Sequence, residues 1–252
     1  MIHFIGAGPG APDLITVRGA RLLAEADLIL YAGSLVNPAL LDGRKPGCTV
    51  RDTASMTLEE VLSAMEEAEA RNFTTVRLHT GDPSLYGAIR EQMDALDARG
   101  ISYDVTPGVS AFSGAAAALE AEYTLPSVSQ SVIITRMAGR TPVPEGEELR
   151  KLASHGCTMV LFLSTGLLER VEEELLAGGY APDTPAAIVY KATWPEEQVF
   201  RCTVSTLAST ARAHNITKTA LITVGDFLGK DYERSKLYDP DFTHGCRQGR
   251  TP

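Results

Sequence analysis

The sequence predicts two α/β domains, the first with a mostly parallel sheet and the second with a mixed one. Short apolar runs such as Leu28-Ile29-Leu30-Tyr31 have the length of strands and no polar alternation, as in parallel strands covered on both faces. Helical periods follow these runs in the first half. In the second half two strand patterns, 186–190 and 198–202, succeed one another without a helix between them, which requires an antiparallel pair.

The elements follow in order. His3-Phe4-Ile5 lies in a buried first strand, residues 2–5, which breaks into a Gly/Pro loop. Residues 16–25 then form an amphipathic helix, and 28–31 a second strand. Thr57 and Glu60 have capping-box spacing and open a helix that runs to about Arg71. Residues 74–78 resume strand character, 85–98 read as a helix stopped by Gly100, and 103–105 form another strand. Ser110 caps a helix of small residues, 111–120, in which Gly114 permits close backbone approach. The polar stretch 122–130 marks a domain boundary, giving domains 1–121 and 122–228. In the second, strands are expected at 131–135, 159–163, 186–190, 198–202 and 220–224, with helices at 167–177 and 206–213. Residues 139–144 hold two prolines and a glycine and form a loop; 229–252 form an extended polar tail.

Composition narrows the function classes. The chain of 252 residues is 44% hydrophobic and 22% charged, which excludes disordered, collagen-like and coiled-coil proteins. Lys+Arg number 23 against 32 Asp+Glu, a net charge of -9, so neither nucleic acid nor an anionic membrane surface is an expected partner. Cys48, Cys157, Cys202 and Cys246 form no C-x-x-C pair, so no metal site is expected. No apolar run approaches the roughly 20 residues of a membrane span. A soluble cytoplasmic protein is the expectation.

Gly6-Ala7-Gly8-Pro9-Gly10-Ala11 satisfies G-x-G-x-x-G/A after a strand and on its own proposes a dinucleotide-binding turn. Pro9 and Pro12 remove amide donors where a pyrophosphate would sit, and the second strand ends in Tyr31-Ala32 without an acid for a ribose. A tight structural turn explains the same residues. His79-Thr80-Gly81-Asp82-Pro83 and Pro107-Gly108-Val109-Ser110-Ala111 stand at later strand ends, where open α/β sheets bind ligands. Asp82 and Ser110 also suit helix caps. Together these turns suggest one backbone-lined pocket.

Gly6-Ala7-Gly8-Pro9-Gly10 with Asp13-Leu14-Ile15-Thr16, Gly81-Asp82-Pro83 with Tyr86, and Pro107-Gly108-Val109-Ser110 resemble, in order, the motifs of the tetrapyrrole methylases. The longer motifs 135–145 and 190–195 are most similar to the branch of that family that methylates precorrin-4, or cobalt-precorrin-4, at C-11 in cobalamin biosynthesis. The resemblance implies a homodimeric methyltransferase with S-adenosyl-L-methionine folded into a cleft between the two domains and a tetrapyrrole as acceptor. It implies that Pro9, Gly81, Asp82, Pro83, Leu85, Ser110 and Ala111 line the methionine and ribose side. Phe162, Leu163, Ala192 and Ala220, from the second domain, would enclose the adenine. The first loop departs from the family, reading Gly10-Ala11-Pro12 where many relatives have Gly-Asp-Pro. Relatives that methylate C-17 or uroporphyrinogen are the alternative, and a dinucleotide-dependent oxidoreductase the outsider.

The chemistry asks little of acid or base groups, because a sulfonium already carries an excellent leaving group; Asp82 and His79 are the available candidates for a base, and no catalytic residue is assigned. An acceptor rich in acetate and propionate groups needs local positive charge on this acidic protein. Arg18, Arg136, Arg140 and Lys191 sit in or beside the motif loops and are the candidates for a basic rim. Trp194 suits either core packing or stacking on a flat ring.

Overall fold

A computed structural model describes residues 1–250. It divides into two compact units, residues Met1–Ala115 with Lys191–Glu197, and Ala116–Tyr190 with the chain from Gln198 onward.

The first unit is a five-stranded parallel sheet. Its strands are β1 (Ile2–Gly6), β2 (Leu28–Tyr31), β3 (Thr49–Asp52), β4 (Thr75–His79) and β5 (Tyr103–Thr106), in the spatial order β3-β2-β4-β1-β5. Side chains alternate between its two faces. Ile5, Ile29, Val76 and Leu78 pack with Leu22 and Leu23 of α1 (Val17–Glu25) and with Leu40 and Leu41 of the 3-10 turn Pro38–Gly43. Ile2, Phe4, Leu28 and Leu30 pack on the opposite face with Val61, Leu62 and Met65 of α2 (Leu58–Ala70) and Leu96 of α3 (Arg90–Asp97). Both faces being covered is why the strands read as unbroken apolar runs. The capping box that opens α2 is formed, with Thr57 N donating to Glu60 Oε2 at 2.7 Å and Glu60 N to Thr57 Oγ1 at 3.3 Å.

Two features of this unit differ from the sequence expectation. β3 has the pattern Thr-Val-Arg-Asp, mostly exposed, and its edge position leaves it without the apolar signature of the inner strands. The helix expected over 85–98 begins only at Arg90. Residues 83–86 form a turn, and Tyr86 (φ 58°) at its end and Ala88 (φ 49°) just beyond it are left-handed, a conformation no helix tolerates.

The second unit holds a sheet of order β6-β7-β10-β8-β9, formed by β6 (Val132–Arg136), β7 (Thr158–Phe162), β8 (Pro185–Tyr190), β9 (Gln198–Thr203) and β10 (Ala220–Val224). β6 and β7 are parallel and the remaining pairs antiparallel, so the sheet is mixed. Met159, Leu161, Ile188 and Ile222 form its core with Leu149 of α5 (Leu149–Ala153), Val171 and Leu175 of α6 (Leu168–Ala177) and Leu207 of α7 (Leu207–Ala213). α5, five residues after a Pro/Gly loop, is too short for a readable period. α4 (Ala111–Leu119) runs from one unit into the other. The expected tail carries a 3-10 turn at Lys236–Tyr238 and an antiparallel bridge between His244 and Arg247; residues 251–252 lie outside the described residues. No helix among the described residues is long and apolar enough to cross a membrane.

Candidate active site

Open parallel sheets bind ligands where chains leave neighbouring strands in opposite directions. Here β1 leads through α1 to β2 on one side, and β4 leads through α3 past β1 to β5 on the other, so the switch falls between the paired strands β1 and β4. The loops that follow Gly6, His79 and Thr106 meet at this edge.

Glycine lets them meet. A Cβ on Gly6 would lie 2.5 Å from Gly108 Cα and 2.6 Å from the Gly81 carbonyl oxygen, and one on Gly108 would lie 2.2 Å from that same oxygen. Ala7 N donates to the His79 carbonyl at 2.7 Å, and Gly8 and Gly81 exchange backbone bonds of 3.2 and 2.8 Å. Asp82 joins the second loop to the third: Oδ2 accepts from Gly108 N at 2.8 Å, while Oδ1 accepts from Ser84 N at 2.9 Å and from the Ser84 hydroxyl. Burial pushes the Asp82 carboxyl up, but the bonds from Ser84 and from the Gly108 amide outweigh it and hold the group below the ordinary value. Asp82 is therefore an ionised clamp between loops.

His79 is 4% exposed and stacks on Phe4 with ring centroids 6.1 Å apart. Its Nε2 has no hydrogen-bond partner among the described residues. Burial, assisted by the nearby Arg77 guanidinium, pushes its pKa down to about 3. It is neutral and sealed inside the domain, so neither of the two candidate bases is poised to take a proton.

Of the residues assigned to the methionine and ribose side, Pro9, Gly81, Pro83 and Ser110 are buried, Asp82, Leu85 and Ala111 half-buried, and all belong to these three loops but Ala111, which opens α4. The Ser110 carbonyl begins α4, accepting from Ser113 N at 3.0 Å and Gly114 N at 3.3 Å. Ala192, assigned to the second domain, instead groups with the first unit in the segment Lys191–Glu197, whose contacts are with the first loop. Phe162 ends β7 in the second unit and Leu163 follows it. Leu163 is left-handed (φ 52°) and 68% exposed, held between neighbours fixed by Ser164, whose hydroxyl donates to the Phe162 carbonyl at 2.7 Å and accepts from Met137 N at 2.8 Å. The Ala220 carbonyl accepts from Thr165 Oγ1 at 3.0 Å.

The four basic residues differ in their surroundings. Arg136 donates to the carbonyls of Thr141 at 3.2 Å and Pro142 at 2.6 Å and so braces the loop 139–144. Lys191 pairs with Glu196 at 3.3 Å and lies over the Trp194 ring. Arg18 and Arg140 are exposed. Sequence reasoning missed what holds the first loop. Trp194 Nε1 donates to the Pro9 carbonyl at 3.1 Å, Ala11 N to Thr193 Oγ1 at 3.0 Å, and Asn37 Nδ2 to the Gly10 carbonyl at 2.8 Å. Contacts between positions 11 and 193 leave no local signal to find. Among the described residues no group of three or more His, Cys, Asp or Glu side chains is placed to hold a metal ion.

The amides of Ala7, Gly8 and Ala11 are thus already spent on protein acceptors, and Pro9 and Pro12 have none, so most of the donors of a pyrophosphate-binding turn are missing from the loop. Comparison with known proteins agrees with this departure from dinucleotide binding. The model of the Tetrapyrrole (Corrin/Porphyrin) Methylases matches residues 1–208. The cobalt-precorrin-4 C(11)-methyltransferase of Methanocaldococcus jannaschii is 49% identical over 98% of this chain and 96% of its own length. The precorrin-4 C(11)-methyltransferase of Mycobacterium tuberculosis is 47% identical over 94% of this chain and 95% of its own. Among solved structures, a cobalt precorrin-4 methyltransferase superposes with a TM-score of 0.89 at 49% identity, covering 91% of this chain and 96% of that one. The uroporphyrin-III C-methyl transferase of Thermus thermophilus, complexed with S-adenosylhomocysteine, superposes with a TM-score of 0.74 at 27% identity, covering 90% and 93%. With the motif loops joined at one strand edge and relatives of nearly equal length on both counts, the chain belongs to the tetrapyrrole methylase family.

Proposed function

We propose that this protein transfers a methyl group from S-adenosyl-L-methionine to C-11 of precorrin-4 or cobalt-precorrin-4, releasing S-adenosyl-L-homocysteine. The observation that carries the reading is the meeting of the Gly6, Gly81 and Gly108 loops at the switch between β1 and β4. The acceptor position follows the names of the relatives, which match over nearly the whole chain.

A nucleoside with a short, flexible amino-acid arm fits these loops. Their glycines expose backbone rather than side chains, and backbone carbonyls suit the positive sulfonium and the ammonium of such a ligand. Pro9, Gly81, Asp82, Pro83, Leu85, Ser110 and Ala111 would hold it, with Ala192 beside the first loop. The assignment of Phe162, Leu163 and Ala220 to the adenine rests on the resemblance alone. The bound ligand supplies an electrophilic methyl group. The protein's part is to fix the ligand and the acceptor carbon in line and to exclude water, an arrangement whose positioning is worth about 7 to 11 kcal/mol at best. No side chain need act as a base: the reduced macrocycle has enamine-like carbons, and Asp82 and His79 are committed elsewhere.

We assign Arg18 and Arg140, exposed beside the motif loops, to the carboxylates of the macrocycle, with Arg136 and Lys191 acting through the loop and ring they brace. The reading includes a cytoplasmic homodimer. Calorimetric titration should show tight binding of S-adenosylhomocysteine and none of NAD. Incubation with carbon-13-methyl donor and each of the two precorrin-4 forms should label C-11; label at another carbon, or on uroporphyrinogen only, refutes the acceptor. Sedimentation at micromolar concentration should give twice the 27.0 kDa chain mass.

A further inference from the structure

We propose that Trp194 is a positioning residue for the first glycine loop, and that with Thr193 it sets the loop in its binding conformation. This rests on the reading that the loop holds the S-adenosyl ligand. Pro9 and Gly10 are gripped from one side. The indole N–H donates to the Pro9 carbonyl at 3.1 Å, and the ring edge lies so close to Gly10 that a Cβ there would sit 2.1 Å from Cδ1 and 2.4 Å from Nε1. One residue further, Ala11 N donates to Thr193 Oγ1 at 3.0 Å. Beneath the loop, a Cβ on Gly114 of α4 would lie 2.9 Å from Pro9 Cβ and 3.3 Å from Thr193 Cγ2, so the side chains of Pro9 and Thr193 pack directly on the bare backbone of Gly114.

The gripping segment is itself strained. Lys191 (φ 47°) and Thr193 (φ 67°) are left-handed, and for β-branched Thr193 this is a genuine outlier. The strain is held in place by Glu197 Oε2, which accepts from Thr193 N at 2.5 Å, and by Glu196, paired with Lys191. Such strain persists only where the surroundings enforce it, and what it accomplishes here is to aim the Thr193 hydroxyl and the Trp194 N–H at successive groups of the loop. Pro9 and Pro12 restrict their own φ, so a loop fixed at Pro9, Gly10 and Ala11 has little freedom left to lose on binding.

Trp194 is the one tryptophan of the chain, so its emission reports on this loop directly. Titration of the wild-type protein with S-adenosylhomocysteine should change the tryptophan emission with the same midpoint as calorimetry. Trp194→Phe, which keeps a ring but removes the donor, should weaken binding about tenfold by calorimetry. Thr193→Val, which keeps the shape and the reporter, should weaken it about fivefold and shift the emission of the free protein. In turnover, both variants should raise KM for the methyl donor and leave KM for the tetrapyrrole unchanged, a split that general destabilisation does not produce. Ligand binding with unaltered emission in the wild type, or unaltered affinity in the two variants, overturns the proposal while leaving the cofactor reading intact. A wild-type protein that binds no S-adenosylhomocysteine overturns both. Should Trp194→Phe fail to fold, the Thr193→Val titration decides alone.

Discussion

Replacing Asp82 with Asn keeps the shape of the side chain and removes its charge. Both carboxylate oxygens accept backbone amides, Gly108 N at 2.8 Å and Ser84 N at 2.9 Å. An Asn has one acceptor oxygen, so its NH₂ must face one of those donors. The loss is one charge-assisted bond plus a donor-donor conflict, about 2 to 3 kcal/mol. In a chain of this size that lowers the thermal midpoint by about 4 to 12 °C. The difference should depend on pH with a definite sign. The folded carboxyl titrates below its unfolded value, so its stabilisation is present above about pH 4 and is lost as the pH falls through the folded value. Melting of wild type and Asp82→Asn by circular dichroism at pH 7 and pH 3 measures both effects, with S-adenosylhomocysteine affinity followed at pH 7. Equal midpoints at pH 7 with binding lost would mean that Asp82 contacts the ligand directly and clamps nothing, which refutes the reasoning.

Three further predictions follow from the same geometry. Gly108→Ala places a Cβ 2.2 Å from the Gly81 carbonyl oxygen, backbone against backbone, and should cost about 3 kcal/mol or more and abolish S-adenosylhomocysteine binding; a near-native midpoint in urea unfolding contradicts the close approach. His79 is held neutral with its pKa near 3, so the unfolded chain binds the proton first as the pH drops below about 6.5, and stability should fall by about 2 kcal/mol by pH 5. His79→Leu should flatten that slope in denaturant titrations at pH 5 to 7, and an unchanged slope assigns it to other groups. Arg140→Ala should raise KM for the tetrapyrrole about fivefold and leave S-adenosylhomocysteine affinity unaltered; an unchanged KM removes Arg140 from the basic rim.

Much of the fold was legible because burial leaves a local trace. β2 is apolar along its length and β10 is so apart from Thr223, since both strands are buried, and the capping box of Thr57 and Glu60 is written in four consecutive residues. β3 left no such trace, being a polar edge strand whose existence depends on pairing with β2. The first residues of the helix expected over 85–98 carry no breaker but Gly87, so nothing local announces the left-handed backbone of Tyr86 and Ala88 that delays the helix to Arg90.

At the site, the loops that matter are legible from residue types alone: glycines at positions 6, 81 and 108, each at the end of a strand, mark backbone that must approach backbone. So is the absence of pyrophosphate donors at Pro9 and Pro12, a covalent property needing no coordinates. The roles of the polar residues were decided only by tertiary structure. Asp82 as a clamp to Gly108, His79 as a buried neutral ring, Arg136 as a brace for its own loop and Trp194 as the partner of Pro9 are all facts about neighbours. A side chain's periodicity records whether it is inside or outside, but the partner of a hydrogen bond, and the proton affinity that partner dictates, exist only once distant segments have been brought within 3 Å or so of one another.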